Sequence, residues 1–214
     1  MIKDAETARN LARFLLQIKA IQIQSTNPFI WASGWKSPIY CDNRKTLSHP
    51  NIRNFIKNEL ANAVQKEFPE VEIIAGVATG AIAIGALVAE EMKLPFIYVR
   101  SSSKGHGLGN QIEGDLSVGK KVVVIEDLVS TGMSSLKAVN CLKEGGMQVL
   151  GMASIFTYGF PVAEENFRKE GCKLISLGNY SSMLETAHRE NYVQSSELSM
   201  LENWREDPEN WKPI

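Results

Sequence analysis

Residues 122–135 read VVVIEDLVSTGMSS. Val122 to Ile125 are four β-branched apolar residues in succession, a run that suits a strand buried on both faces and not one with a wet side. Glu126 and Asp127 follow, and then Ser130, Thr131, Gly132, Met133 and Ser134 form a small, hydroxyl-rich turn that opens a helix. The same rhythm extends in both directions. VEIIAGVA from Val71, LPFIYVR from Leu94 and MQVLGMASIF from Met147 are further apolar strands; TGAIAIGALVAEEM and SSLKAVNCLKEGG are helices, the second stopped by Gly145 and Gly146. Apolar strands alternating with helices predict an α/β fold, a parallel sheet core flanked by helices on both faces.

Outside this core the texture changes. Ala8, Leu11, Ala12, Leu15 and Leu16 recur at helical spacing after Asp4, a suitable N-cap, and predict a first helix ending near Lys19. FIWASGWKSPIYCD, residues 29–42, places SG and SP turns between short aromatic and β-branched runs, as in a hairpin. A second helix is expected from Ile52 to Phe68. SSSKGHGLGNQIEGD, residues 101–115, has no apolar periodicity and is too long and glycine-rich for a simple connection. The chain end from Tyr180 onward reads as helical and polar.

Composition excludes several classes. The 23 basic residues are balanced by 24 acidic ones, so no field of one sign is available to hold nucleic acid nonspecifically. The longest nearly apolar run, Ala81–Ala89, is far short of the roughly 20 residues that span a bilayer. Charges at Asp4, Glu6, Arg9 and Arg13 interrupt the first twenty residues, unlike a signal peptide, so a cytoplasmic location is expected. Cys41, Cys141 and Cys172 lack CxxC spacing and read as reduced thiols. His49 and His188 read as surface or cap residues. GDLSVGKK, from Gly114, lacks a P-loop's final hydroxyl and precedes a strand, and GHGLGN lacks the helix of a dinucleotide fingerprint.

In an open parallel sheet, ligands bind beyond the C-terminal strand ends. There the turn 130–134 offers backbone N–H groups at a helix N-terminus together with hydroxyls, a combination that suits a phosphate monoester. Taken without the turn, two acids after a strand read more often as helix-capping or solvated groups than as a sugar site. Two acids beside a phosphate turn would repel the anion unless they face neutral hydroxyls attached to it, and a ribose 5-phosphate satisfies both halves.

VVVIEDLVSTGMSS resembles the PRPP-binding motif of type I phosphoribosyltransferases. YVRSSSKGHGLGNQIEG, residues 98–114, resembles the mobile catalytic loop of the orotate phosphoribosyltransferase family, and WASGWKSPIYCDNR, residues 31–44, resembles that family's N-terminal orotate-side signature. The resemblance implies the type I phosphoribosyltransferase fold over residues 1–214. A small hood subdomain would be built mainly from the N-terminal segment, residues 20–48, with a PRPP-binding α/β core over 70–178 and a catalytic loop over 101–114. It implies transfer of the 5-phosphoribosyl group from PRPP to orotate in pyrimidine synthesis, giving orotidine 5-phosphate and pyrophosphate.

Residue by residue, Glu126 and Asp127 correspond to the pair on the ribose hydroxyls. Leu128, Val129, Ser130, Thr131, Gly132, Met133 and Ser134 correspond to the segment carrying the 5-phosphate loop, and Arg100, Lys104 and His106 to the cations meeting pyrophosphate. Lys104, His106 and Asp127 are the implied catalytic residues. Ser130, Lys36, Tyr40 and Cys41 are the implied orotate-side residues, with Ser37 in the same segment. Mg²⁺ is implied as the cofactor, carried by PRPP without direct protein ligands. A homodimer sharing the loop across subunits is implied too.

The chain departs from some family members at Ala32 and Gly80, where those members carry lysines, and at Tyr158, near which they carry the arginine for the orotate carboxylate; it resembles another branch, the one with WASG and YCDNR. Arg44 or Lys36 is the candidate replacement. Two other functions fit the sugar-phosphate motif, a purine phosphoribosyltransferase and a PRPP-sensing regulator without turnover. The first gives WKSPIYCDNR no role; the second is expected to carry a basic nucleic-acid surface, which the charge balance does not provide.

Overall fold

The computed structural model describes residues 4–24, 26–31, 33–101, 111–116 and 118–212. Six strands form the central sheet: β5 (Ile73–Val77), β6 (Phe96–Val99), β7 (Ile112–Glu113), β8 (Lys121–Val129), β9 (Gln148–Thr157) and β10 (Leu174–Asn179), in the order β10-β9-β8-β5-β6-β7. All neighbours pair in parallel except β6 and β7. Ile73 to Val77 and Val122 to Ile125 are wholly buried, as continuous apolar runs require once helices cover both faces.

Right-handed crossovers put α3 (Ile82–Met92), which joins β5 to β6, on one face of the sheet, and α4 (Met133–Glu144) and α5 (Pro161–Lys169) on the other. The first helix, α1 (Ala5–Gln17), packs on β10, and α2 (Pro50–Glu67) packs on α3 and β9. Asp4 caps α1 as expected, accepting from the N–H groups of Glu6 at 3.4 Å and Thr7 at 2.7 Å. The chain proceeds outward from β5 to β6 and then returns to the other side of β5 for β8. The loops after β5 and β8 therefore leave adjacent strands toward opposite faces and open the crevice at which α/β sheets bind ligands.

Residues 21–41 stand apart from this sheet as two small ones: β1 (Ile21–Ile23) with β4 (Ile39–Cys41), and the hairpin of β2 (Phe29–Ile30) with β3 (Lys36–Ser37). A 3₁₀ run, Asn43–Ser48, leads from β4 into α2.

Strand β7 falls at the end of the stretch 101–115 and buries Ile112 at the edge of the sheet. Two expectations need correction. The chain end is not merely polar. Helices α6 (Tyr180–Arg189) and α7 (Ser195–Glu206) bury Tyr180, Met183, Leu184, Leu201 and Trp204, few enough per turn to be outnumbered by exposed charges. Finally, β8 does not end at Asp127 but runs on to Val129, so the acid pair lies inside the strand. The three cysteines are free and buried. His49 is exposed at the N-cap of α2 without a side-chain cap bond, and His188 lies in the last turn of α6.

Candidate active site

Because strand side chains alternate faces, adjacent Glu126 and Asp127 point to opposite sides of β8. Glu126 turns inward and is 5% exposed. Its Oε1 accepts the Asp127 N–H at 2.9 Å and its Oε2 accepts the Ser135 hydroxyl at 2.8 Å. Burial, and secondly the Asp127 charge, push its carboxyl well above the usual range. Asp127 turns toward the crevice and is half-buried, and burial raises its carboxyl as well. It faces the loop after β5: a Cβ placed on Gly80 would come within 2.1 Å of Asp127 Oδ2. Glycine at 80 is what lets the two strand-end loops close on each other.

The turn after β8 is held from behind. Thr157 Oγ1 donates to Val129 O at 3.2 Å, and Asn166 Nδ2 on α5 donates to Thr131 O at 3.0 Å. Gly132 adopts φ +78, in the left-handed region that favours glycine, and a Cβ there would lie 2.7 Å from the Phe167 ring. Gly132 is the N-cap of α4 and has no side chain to cap it, so the first-turn N–H groups of a twelve-residue helix remain directed at whatever occupies the crevice. Thr131 is half-buried, and Met133 and Ser134 are exposed around this opening. Val129 is fully buried, so only its backbone can serve a ligand.

An aromatic hollow of about 420 Å³ adjoins the turn, lined by Ile30, Trp31, Ser33, Tyr40, Cys41, Leu128, Ser130 and Tyr158. Tyr40, Cys41 and Ser130, three of the four implied orotate-side residues, therefore converge here. Lys36 does not. It is exposed beside a separate cleft formed with Trp211 and Lys212. Leu128, assigned from the motif to PRPP, is also a wall of this hollow. Trp31 packs on Tyr158 at a centroid distance of 4.9 Å and donates its indole N–H to Ile39 O at 3.1 Å. No cation lines the hollow among the described residues. Arg44 lies near Asp127 but is bound to the Asp42 carboxylate, Nε at 2.7 Å and Nη2 at 3.1 Å.

A second hollow, about 430 Å³, opens on the other side between the ends of β5 and β6 and helix α4. Arg100 and Ser134 line it, and so does Lys137, a residue the motif did not mark although it follows Ser134 by one helical turn. Arg100 Nη1 is 3.4 Å from Glu113 Oε1. Lys104 and His106 lie outside the described residues.

Asn43 is a further residue that sequence reasoning passed over. It is 2% exposed, donates Nδ2 to the Asp127 backbone carbonyl at 2.7 Å and accepts from Cys41 Sγ at 3.4 Å. It thereby ties the wall of the aromatic hollow to the acid-bearing strand. Burial, with Asp127 and Asp42 nearby, pushes the Cys41 thiol far up, so it acts as a neutral wall and not as a nucleophile.

A parallel sheet with an acid pair, an open helix N-terminus and an aromatic hollow at its switch point defines a sugar-phosphate-binding α/β protein. Comparison with known proteins narrows this. Residues 45–186 match the phosphoribosyl transferase domain family. The orotate phosphoribosyltransferase of Phocaeicola vulgatus is 57% identical over 94% of this chain and 95% of its own length, and that of Bacteroides thetaiotaomicron is 55% identical over 95% and 96%. Among solved structures, orotate phosphoribosyltransferase from Aeropyrum pernix superposes with a TM-score of 0.75 at 28% identity, covering 86% of this chain and 99% of that one. Leishmania donovani UMP synthase gives 0.78 at 26%, over 92% of this chain and 42% of that one. The chain belongs to the orotate phosphoribosyltransferase family of phosphoribosyltransferase enzymes.

Proposed function

We propose that this enzyme transfers the 5-phosphoribosyl group of PRPP to N1 of orotate, giving orotidine 5-phosphate and pyrophosphate. The observation that carries the reading is the juxtaposition, at one strand end, of Asp127, the uncapped N-terminus of α4 and the aromatic hollow containing Ser130. These match a ribose, its 5-phosphate and a planar base, the three parts that the product joins. The base N1 forms its bond to C1 as the C1–O bond to pyrophosphate breaks; the bonding pair leaves with pyrophosphate and the N1 proton passes to water.

Positive charge develops on the sugar and negative charge on the leaving group. Asp127 lies on the sugar side, and Glu126, turned inward, supports its neighbour's main chain by accepting the Asp127 N–H. Arg100, with Lys104 and His106 of the loop 101–114, balances the departing oxygens. Mg²⁺ would arrive carried by PRPP, held by substrate oxygens and waters, and would neutralise charge on the pyrophosphate; both Glu126 oxygens are already taken by the Asp127 N–H and the Ser135 hydroxyl. The loop excludes water from the activated sugar. A homodimer with the loop shared between subunits, in the cytoplasm, completes the reading. No helix among the described residues is long and apolar enough to cross a membrane.

Loss of orotate absorbance on mixing the purified protein with PRPP, Mg²⁺ and single bases tests this. Turnover of adenine or hypoxanthine but not orotate would replace the base assignment, and PRPP binding without turnover of any base would make the protein a sensor.

A further inference from the structure

Helix α7 begins after the last residue of the family match at 186, yet it is built into the back of the aromatic hollow. Trp204 is fully buried and meets Trp31, Tyr158 and Phe160 edge-on, with centroids 5.6, 5.7 and 5.6 Å away. Its indole N–H donates to Lys36 O at 3.1 Å, in the strand that pairs with Ile30. The next residue, Arg205, donates Nε to Tyr158 O at 3.3 Å and Nη2 to Gly159 O at 2.9 Å. One helical turn thus grips both walls of the hollow: the β2–β3 hairpin bearing Ile30 and Trp31, and the segment after β9 bearing Tyr158. Neither Trp204 nor Arg205 lines the hollow itself.

We propose that α7 is a positioning element for the base, with Trp204 and Arg205 as positioning residues that set the spacing of the two walls and hence the affinity for orotate. The α4 turn and Asp127 are bound to other elements, Asn166 and Asn43, so PRPP affinity is independent of α7. The inference rests on the reading that this hollow takes the base.

The test uses the full chain with Arg205→Ala, Arg205→Lys and Trp204→Phe, the last keeping an aromatic ring and losing the N–H. Removing hydrogen bonds that hold a wall is expected to raise the KM for orotate roughly three- to tenfold. The KM for PRPP should stay within about twofold, as for a site remote from the change. Arg205→Lys, which retains one donor but not the planar fork, should recover part of the loss. An unchanged KM for orotate, or equal increases in both KM values in step with a lower melting temperature, would overturn the proposal. Tyr40→Ala separates the two layers. If Tyr40→Ala leaves the KM for orotate unchanged, the hollow is not the base site and both readings fall. If Tyr40→Ala raises it while the α7 variants do not, the role of α7 alone is refuted.

Discussion

Gly80→Ala tests the site with a single methyl group. Its Cβ would lie 2.1 Å from Asp127 Oδ2, so restoring an ordinary contact of 3.4 Å requires the carboxylate to retreat by about 1.3 Å. The backbone at 80 is not in the left-handed region, so alanine adds no dihedral strain and slightly restricts the unfolded chain. The carboxylate is the end of a short side chain on a strand whose main chain is pinned by Asn43, so it moves alone. Stability should therefore change by no more than about 1 kcal/mol. Misplacing a sugar-binding group by this distance costs about 10²-fold in rate, or about 2.7 kcal/mol of transition-state stabilisation. Initial rates with PRPP varied at saturating orotate, alongside a thermal melt, would measure both. The expected result is a large fall in kcat/KM for PRPP with a nearly unchanged melting temperature. Unaltered kinetics would refute the placement of Asp127 against the sugar.

Glu126→Gln is expected to stabilise the fold while impairing PRPP turnover. A carboxyl whose folded-state pKa lies above its unfolded value favours folding at acid pH and loses that contribution as pH rises through the folded value, so the variant should melt higher than wild type at pH 8. The gap should close as pH falls toward 4.5, and each kcal/mol corresponds to about 2–4 °C in a chain of this size; a gap independent of pH would contradict the assignment. Asn43→Ala strips the Asp127 carbonyl of its buried donor and should cost about 1–3 kcal/mol in chemical denaturation and weaken PRPP and orotate together, whereas loss of orotate binding alone would detach Asn43 from the acid strand.

Much of this architecture was legible because it is written locally. The unbroken apolar runs at 73–77 and 122–125 have no place except a sheet covered on both faces, and the Thr131-Gly132 turn marks the start of α4. What stayed hidden was set by register or by distance along the chain. That Glu126 and Asp127 point opposite ways follows from β8 continuing to Val129, which the acids themselves disguise as a strand end. Asn43 and Asp127 are 84 residues apart, and Trp204 and Lys36 are 168 apart, so no local pattern joins them. The placement of Gly80 was recoverable in principle, since parallel pairing of β5 with β8 sets their end loops side by side. The strand β10 and helix α5 escaped notice because Ser176 and Gly178 interrupt the one and charged residues dominate the other. Lys36 lines the neighbouring cleft and not the hollow, a distinction that its position in the motif does not carry.

The central claim is that the last residues of β8 from Glu126 and Asp127 onward, with the turn that follows, hold an activated ribose phosphate. Calorimetric titration of PRPP with Mg²⁺ into the wild-type protein and Asp127→Asn, each shown to be folded, measures this directly. Saturable heat from the wild type, largely lost in the variant, is the expected result. An absence of heat with the wild type, or equal binding by both, would contradict it.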